Sequence, residues 1–188
     1  MGMLAEATGL IGVFSFTSIW KKDTLCSRKR TVFKERSIPL SAGQLIDGKS
    51  MAADVKRELV ERIGRLKSDA GVRPGLAVIL VGNDPASETY VGGKIRDCRD
   101  VGIHSELIRL PEDTSEEVLL GHIDRLNEDP SFHGILVQLP LPRHISTEQV
   151  IRRIRPEKDV DGFHPINVGK MVIGQDGFLP CTPYGIKE

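Results

Sequence analysis

LAVILVG, residues 76–82, is an unbroken apolar run that ends on a glycine. Val78, Ile79 and Val81 are β-branched, and a short apolar run bounded by turn residues reads as a strand covered on both faces. Arg73-Pro74-Gly75 precedes it and breaks whatever comes before; the turn GNDP follows it. Working outward, Val55, Leu59, Ile63 and Leu66 recur at helical spacing, so a helix is expected to start at Asp47 and run up to the break. Beyond the turn a helix is expected to about Asp100, with Val91, Ile95 and Cys98 facing inward.

His104 to Leu110 reads as a second strand. Thr114-x-x-Glu117 is a capping-box pattern that opens a helix to about Asn127, with Leu119, Ile123 and Leu126 as its buried stripe. GILVQ (134–138) is a third buried strand, closed by LPLP. Ser146-x-x-Gln149 caps a short helix carrying Val150, Ile151 and Ile154. Strand, helix, strand, helix, strand in short steps predicts an α/β fold: a three-layer domain with a mostly parallel sheet and helices on both faces.

The 188 residues suffice for one domain and an appendage. With 26 basic and 26 acidic residues the formal net charge is zero, which favours neither nucleic acid nor an anionic membrane as partner. Cys26, Cys98 and Cys181 are few and far apart, so a disulfide framework is not expected. His104, His122, His133, His144 and His164 show no HxxxH spacing, and no metal site is expected. Residues 1–40 read as an extension. Leu4 to Trp20 is mostly apolar but short for a span, contains Glu6, and is followed by basic residues from Lys21 to Arg30. A disordered leader and an organelle transit peptide both fit that composition. The cytoplasm is the expected compartment, with mitochondrion or plastid as the alternative if the leader is a transit peptide.

Few residues stand out for chemistry. Tyr90 and Lys94 lie four apart in DPASETYVGGKIRDC (84–98), hence on one helix face beside the Val91/Ile95/Cys98 stripe. The turn before them follows a strand's carboxyl end, where open α/β sheets bind ligands. On spacing alone, a solvated lysine and a half-buried tyrosine are the commoner reading. Gln138 closes the third strand and offers both donor and acceptor there; a strand running out into solvent fits as well. Asp159 and Asp161 flank a turn at Gly162, where a carboxylate accepts either from a heterocycle's N–H groups or from its own turn. No GxGxxG and no GxxxxGK[ST] occurs, so no dinucleotide or P-loop phosphate site is written in the chain.

IDGK (46–49), PGLAVILVGNDPAS (74–87), YVGGK (90–94), GILVQLPLP (134–142), KDVDGFHP (158–165) and PCTPYG (180–185) stand in the order seen in the bifunctional methylenetetrahydrofolate dehydrogenase/cyclohydrolase family. From about residue 40 onward the chain resembles that family's folate-binding catalytic domain, placed at 41–188. The resemblance implies oxidation of 5,10-methylenetetrahydrofolate with NADP or NAD, then hydrolysis of the methenyl cation to 10-formyltetrahydrofolate. It implies Lys94 as the principal catalytic residue and Gln138 as its hydrogen-bond partner. Tyr90 is implied to lie against the folate, and Asp161 to anchor the pterin. Leu139 and Pro183 join the substrate-binding set. In the resemblance the cofactor belongs to a second, Rossmann domain with its own glycine-rich turn. No NAD(P) site is therefore expected in these 188 residues, and the family's homodimer, which rests chiefly on that domain, is not expected of this chain. A folate-binding or dimerisation module without turnover, and an inactive fragment, are the alternatives.

Overall fold

The computed structural model describes residues 47–187. The expectations for residues 1–40, including the basic run and Cys26, lie outside the described residues. β1 (Gly75–Val81) is the central strand and is buried along its whole length. β2 (His104–Leu110) and β3 (Gly134–Val137) flank it in the order β2-β1-β3, both parallel to it. The pleat sends alternate residues of β1 into two separate layers. Leu76, Val78 and Leu80 meet Leu59, Ile63 and Leu66 of α1 (Gly48–Ala70) and Val91, Cys98 and Val101 of α2 (Pro85–Val101). Ala77, Ile79 and Val81 meet Leu119, Ile123 and Leu126 of α3 (Glu116–Glu128) and Val150 of α4 (Thr147–Arg153). The apolar run reads as it does because both its faces are core, and each large side chain buried there stabilises by about 1.5–3 kcal/mol. The expected three-layer α/β arrangement is therefore present. β2 is the edge on one side and leaves His104, Glu106 and Arg109 exposed, charges and polar groups that blunt an edge strand.

The helix ends follow local chemistry. The Asp47 carboxylate accepts from the N–H groups of Lys49 and Ser50, and Gly71 closes α1 in the left-handed region. Asp84 caps α2 by accepting from Ser87 N–H, with Pro85 in the first turn. The expected cap of α3 is shifted by one residue: Ser115, not Thr114, caps it, its hydroxyl accepting from Val118 N–H. Thr114 is buried and its carbonyl meets the His144 ring instead. Ser146 caps α4 as expected, accepting from Gln149 N–H. The reciprocal arm comes from another helix, because Glu116 of α3 accepts from Ser146 N–H at 2.6 Å. A tertiary partner displaced the local one. α5 (Pro165–Val172) and α6 (Cys181–Lys187) complete the described chain. Among the described residues no helix is long and apolar enough to cross a membrane.

At the amino end of the sheet His133 is a buried structural residue. Gly75 N–H donates to its Nδ1 at 3.1 Å, and His133 N–H donates to Gly75 O at 2.7 Å. Burial, helped by the charge of Lys158, pulls the His133 imidazole below its usual range. The neutral ring is thus the folded form. Between the ordinary value near 6.5 and the lower folded value, the unfolded chain takes up a proton that the native chain does not. Stability is full above pH 6.5 and declines as pH falls through that window, with a slope reaching at most about 1.4 kcal/mol per pH unit for a single group. Urea midpoints at pH 7.5 and 5.5 are expected to differ more for the wild type than for His133→Gln; equal differences would show that another group carries the dependence.

Candidate functional site at the carboxyl edge of the sheet

The site is assembled by three chain segments that leave the same end of the sheet. The first is the β1–α2 turn. Gly82, with φ of 82°, donates its N–H to Leu110 O and swings the chain away from β1 into α2. α2 then buries Val91 and Cys98 and carries Tyr90 and Lys94 at the border of that buried stripe. Tyr90 is 60% exposed and Lys94 is half-buried. Adding a Cβ at Gly92 would meet nothing within 4 Å, and at Gly93 only the Arg96 guanidinium at 4.0 Å. The helix surface beside the tyrosine and lysine is open.

The second segment is the exit of β3. The strand ends at Val137, one residue short of the expected boundary, and Gln138 N–H still donates to Ile79 O at 2.9 Å. That bond sets the backbone of Gln138 against β1. The side-chain amide is fixed at both ends: its Nε2 donates to Leu139 O at 2.6 Å, and its Oε1 accepts from Lys94 Nζ at 3.3 Å. The Leu139–Pro140 peptide is cis. Residues 44 apart in sequence are thus in contact, and the amide turns its acceptor toward the amine.

The third segment is KDVDGFHP. Ile135 N–H donates to Lys158 O, and Ile135 and Asp159 form a parallel bridge, so this loop runs alongside β3 toward the same end. The two carboxylates then part company. Asp159 is buried and accepts from Gly162 N–H at 3.1 Å, His164 N–H at 2.8 Å and Asn167 Nδ2 at 2.9 Å. It fulfils the turn-forming reading. Asp161, half-buried, lines a small cleft with Val137, Leu139 and Phe163. Behind the loop, Lys158 donates to the carbonyls of Leu126 and Asp129, both at 2.8 Å, and so ties it to the carboxyl end of α3. Burial lowers the proton affinity of that ammonium.

A Cβ on Gly162 would lie 2.8 Å from Phe178 O and 3.0 Å from Leu179 C. The chain leading to α6 therefore packs directly on the turn after Asp161. Pro183 sits in α6 and is exposed; the close approach to the cluster from this segment is made by Phe178 and Leu179. Of the residues read from sequence, Lys94 and Gln138 are in direct contact, Tyr90 shares the helix of Lys94, and Leu139 and Asp161 line a separate cleft together with Asp159. Sequence reasoning left Asp159 open between a ligand carboxylate and a turn, and it missed the roles of His133, Lys158 and Asn167, which hold the frame. The turn-forming alternative for DVDG was the one available signal, and it belonged to the first aspartate.

At this edge of the sheet stand an amine held by a neutral amide, a phenol open to solvent and, in a separate small cleft, a carboxylate over apolar side chains. That suits a flat, polar heterocycle with N–H groups along one edge. The Cys98 thiol, one turn beyond Lys94, is no nucleophile: desolvation, then the charge of Asp97, push it up to about 12.

Residues 46–161 match the family model described as tetrahydrofolate dehydrogenase/cyclohydrolase, catalytic domain. The chain belongs to this family. The match takes in Tyr90, Lys94, Gln138, Leu139 and Asp161. The bifunctional protein FolD of Halalkalibacterium halodurans is 61% identical over 142 residues, which is 76% of this chain and 50% of that protein. FolD of Bacillus cereus is 60% identical over 144 residues, 77% of this chain and 50% of its own. Among solved structures, the bifunctional FolD enzyme of Campylobacter jejuni superposes with a TM-score of 0.75 at 51% identity, covering 78% of this chain and 52% of that one. The FolD of Trypanosoma brucei, solved with NADP and an inhibitor, superposes with a TM-score of 0.74 at 36% identity over 77% of this chain and 50% of that one. The chain spans about half the length of the curated tetrahydrofolate dehydrogenase/cyclohydrolase relatives that it matches.

Proposed function

We propose that residues 41–188 form the folate-binding catalytic domain of a one-carbon enzyme. The proposed reactions are oxidation of 5,10-methylenetetrahydrofolate to the methenyl cation and hydrolysis of that cation to 10-formyltetrahydrofolate. The observation that carries the reading is the contact between Lys94 Nζ and Gln138 Oε1, joining two blocks of family-like sequence at the carboxyl edge of the sheet.

The residues present do not fit a dinucleotide. A pyrophosphate needs a glycine-rich turn and free N–H groups at a helix start. After β1 that place is taken by the Asp84 carboxylate, whose hydrogen bond from Ser87 N–H holds it below the usual carboxylate range. After β2 stand Glu112 and Asp113, and after β3 Pro140 and Pro142. No hydride step is therefore assigned to these residues, and NADP or NAD would be held elsewhere.

Hydrolysis uses what is here. Water adds to the methenyl carbon and one of its protons passes to a base; the C–N bond to N5 then opens as the remaining hydroxyl proton is passed to N5, leaving N5–H and the formyl group on N10. The neutral amine of Lys94 takes that proton. Gln138 can accept an N–H from either form of the amine, so it holds Lys94 in place through the transfer without holding its charge. Asp161 accepts from the pterin N–H edge, Tyr90 lies against the ring, and Leu139 and Pro183 supply apolar wall.

The test is the loss of near-ultraviolet absorbance of 5,10-methenyltetrahydrofolate. Lys94→Met is expected to slow hydrolysis by about 10²-fold or more, the range of a lost general base, with unchanged circular dichroism. A Lys94→Met protein as fast as wild type, or a wild type no faster than buffer, would overturn the proposal. Calorimetric binding of tetrahydrofolate without turnover would instead favour the silent binding module.

A further inference from the structure

Lys94 has an acidic neighbour on its own helix that it does not use. Asp97 lies three positions on, a spacing at which a lysine and an aspartate ordinarily pair. Their fields overlap: the charges of Asp97 and Lys94 both reach the thiol of Cys98, with opposite effect. Yet the hydrogen-bond partner of Lys94 Nζ is the neutral amide of Gln138. Asp97 is engaged by Lys56 of α1, whose Nζ donates to it at 2.6 Å and to Asp100 at 3.0 Å. Asp97 is the more sheltered of the two carboxylates, with a side chain 20% exposed against 49% for Asp100.

Resting on the assignment of Lys94 as the base, we propose that Lys56 is a positioning residue that draws the Asp97 carboxylate away from Lys94, leaving the catalytic amine to a neutral partner. A carboxylate paired with Lys94 would favour its ammonium form, which cannot accept a proton from water. Lys56 supplies the competing cation from another helix, and the hydrogen bond that it donates to Asp97 in turn holds the Lys56 ammonium above its ordinary range. The other charges around this helix are otherwise placed. Arg109 of β2 pairs with Glu88 at 2.6 Å, Arg57 of α1 pairs with Asp54, Arg62 of α1 pairs with Glu58 at 3.5 Å, and Asp161 lines a separate cleft beside β3. Tyr90 shares the Lys94 face of α2, and Arg96 lies beside Gly93.

Trace acetylation of the 188-residue chain reads the amine directly, because only the neutral form reacts. Lys94 modification is measured by peptide mass spectrometry at constant pH against the exposed Lys67. In Lys56→Met the rate at Lys94 is expected to fall about two- to fivefold, the scale of a partly exposed ion pair. It is expected to return to the wild-type rate in Lys56→Met/Asp97→Asn, and to stay there in Lys56→Arg, which keeps the cation. The pH profile of methenyltetrahydrofolate hydrolysis is expected to move to higher pH in Lys56→Met alone. A merely structural role for Lys56 would loosen the packing of α1 on α2 and would not be rescued by removing the Asp97 charge. Unchanged or faster acetylation in Lys56→Met, or a fall that persists in the double variant, overturns the proposal. Acetylation does not depend on turnover. Its failure therefore counts against Lys56 alone, whereas an active Lys94→Met protein counts against the assignment of the base.

Discussion

Gly75→Ala is expected to yield little or no folded protein, because the new methyl group has nowhere to go. A Cβ at this position would sit 1.9 Å from Ser131 O, 3.0 Å from Ser131 C and 3.3 Å from Phe132 Cα. All three are backbone atoms, so no side-chain rotation relieves the overlap. Relief requires β1 and the entry to β3 to separate, and that separation breaks two further contacts. Gly75 N–H donates to His133 Nδ1, and His133 N–H donates to Gly75 O. Both lie in the interior, where an unpaired polar group costs about 1–3 kcal/mol. Overpacking by itself costs about 1–3 kcal/mol, so the combined loss is expected to exceed about 4 kcal/mol, at the exceptional end for a single substitution. The measurement is the urea midpoint, or soluble yield where no transition is seen. A loss under about 1 kcal/mol, within the ordinary range for point substitutions, would show that the strands do not approach as closely as described. Gly64→Ala is the control: it adds the same methyl group in the interior of α1, where a Cβ meets nothing within 4 Å.

The second large effect is expected at Asp159. Asp159→Ala leaves three donors without their acceptor: Gly162 N–H, His164 N–H and Asn167 Nδ2. Asp159 is 3% exposed, so water does not readily replace the carboxylate. Each stranded donor costs about 1–3 kcal/mol, and neighbouring losses do not add in full, so a total of about 3–5 kcal/mol is expected. Asp159→Asn is expected to be nearly as damaging, because an amide presents one oxygen and one NH₂ to a ring of donors. The loss reaches the site through the chain itself. Asp159 fixes Gly162 and His164, Gly162 is packed under Phe178 and Leu179, and Asp161 lies between the fixed points. Folate affinity is therefore expected to fall together with stability in Asp159→Asn, whereas in Asp161→Asn affinity should fall by more than the urea midpoint accounts for. Calorimetry and urea unfolding on the same samples separate the two. If Asp159→Asn unfolds at the wild-type midpoint, the buried carboxylate is not the anchor of this loop.

Much of the frame was legible because it is written in local physics. The run 76–82 could only be a two-face strand, since an exposed face would carry polar residues every second position. Asp47 and Ser146 announce helix starts through side chains that accept from nearby N–H groups, and the structure uses both. Thr114 shows where such reading stops. Thr114 and Ser115 are adjacent candidates with similar chemistry, and the helix chose Ser115 while Thr114 O was claimed by His144, 30 residues away. The same limit left the two aspartates of DVDG undecided. They look alike in sequence, and only the three donors that converge on Asp159 tell which of them is tied into the turn.

By itself the sequence determined the strands, the helices, their order and the residue types available for chemistry, because propensity, capping and apolar period act over a few neighbouring residues. The tertiary structure alone decided the partnerships. Lys94 meets Gln138 across 44 residues, and Lys56 takes Asp97 across 41. Both contacts join different elements, and they are set by how α1, α2 and β3 pack on one sheet rather than by spacing along the chain.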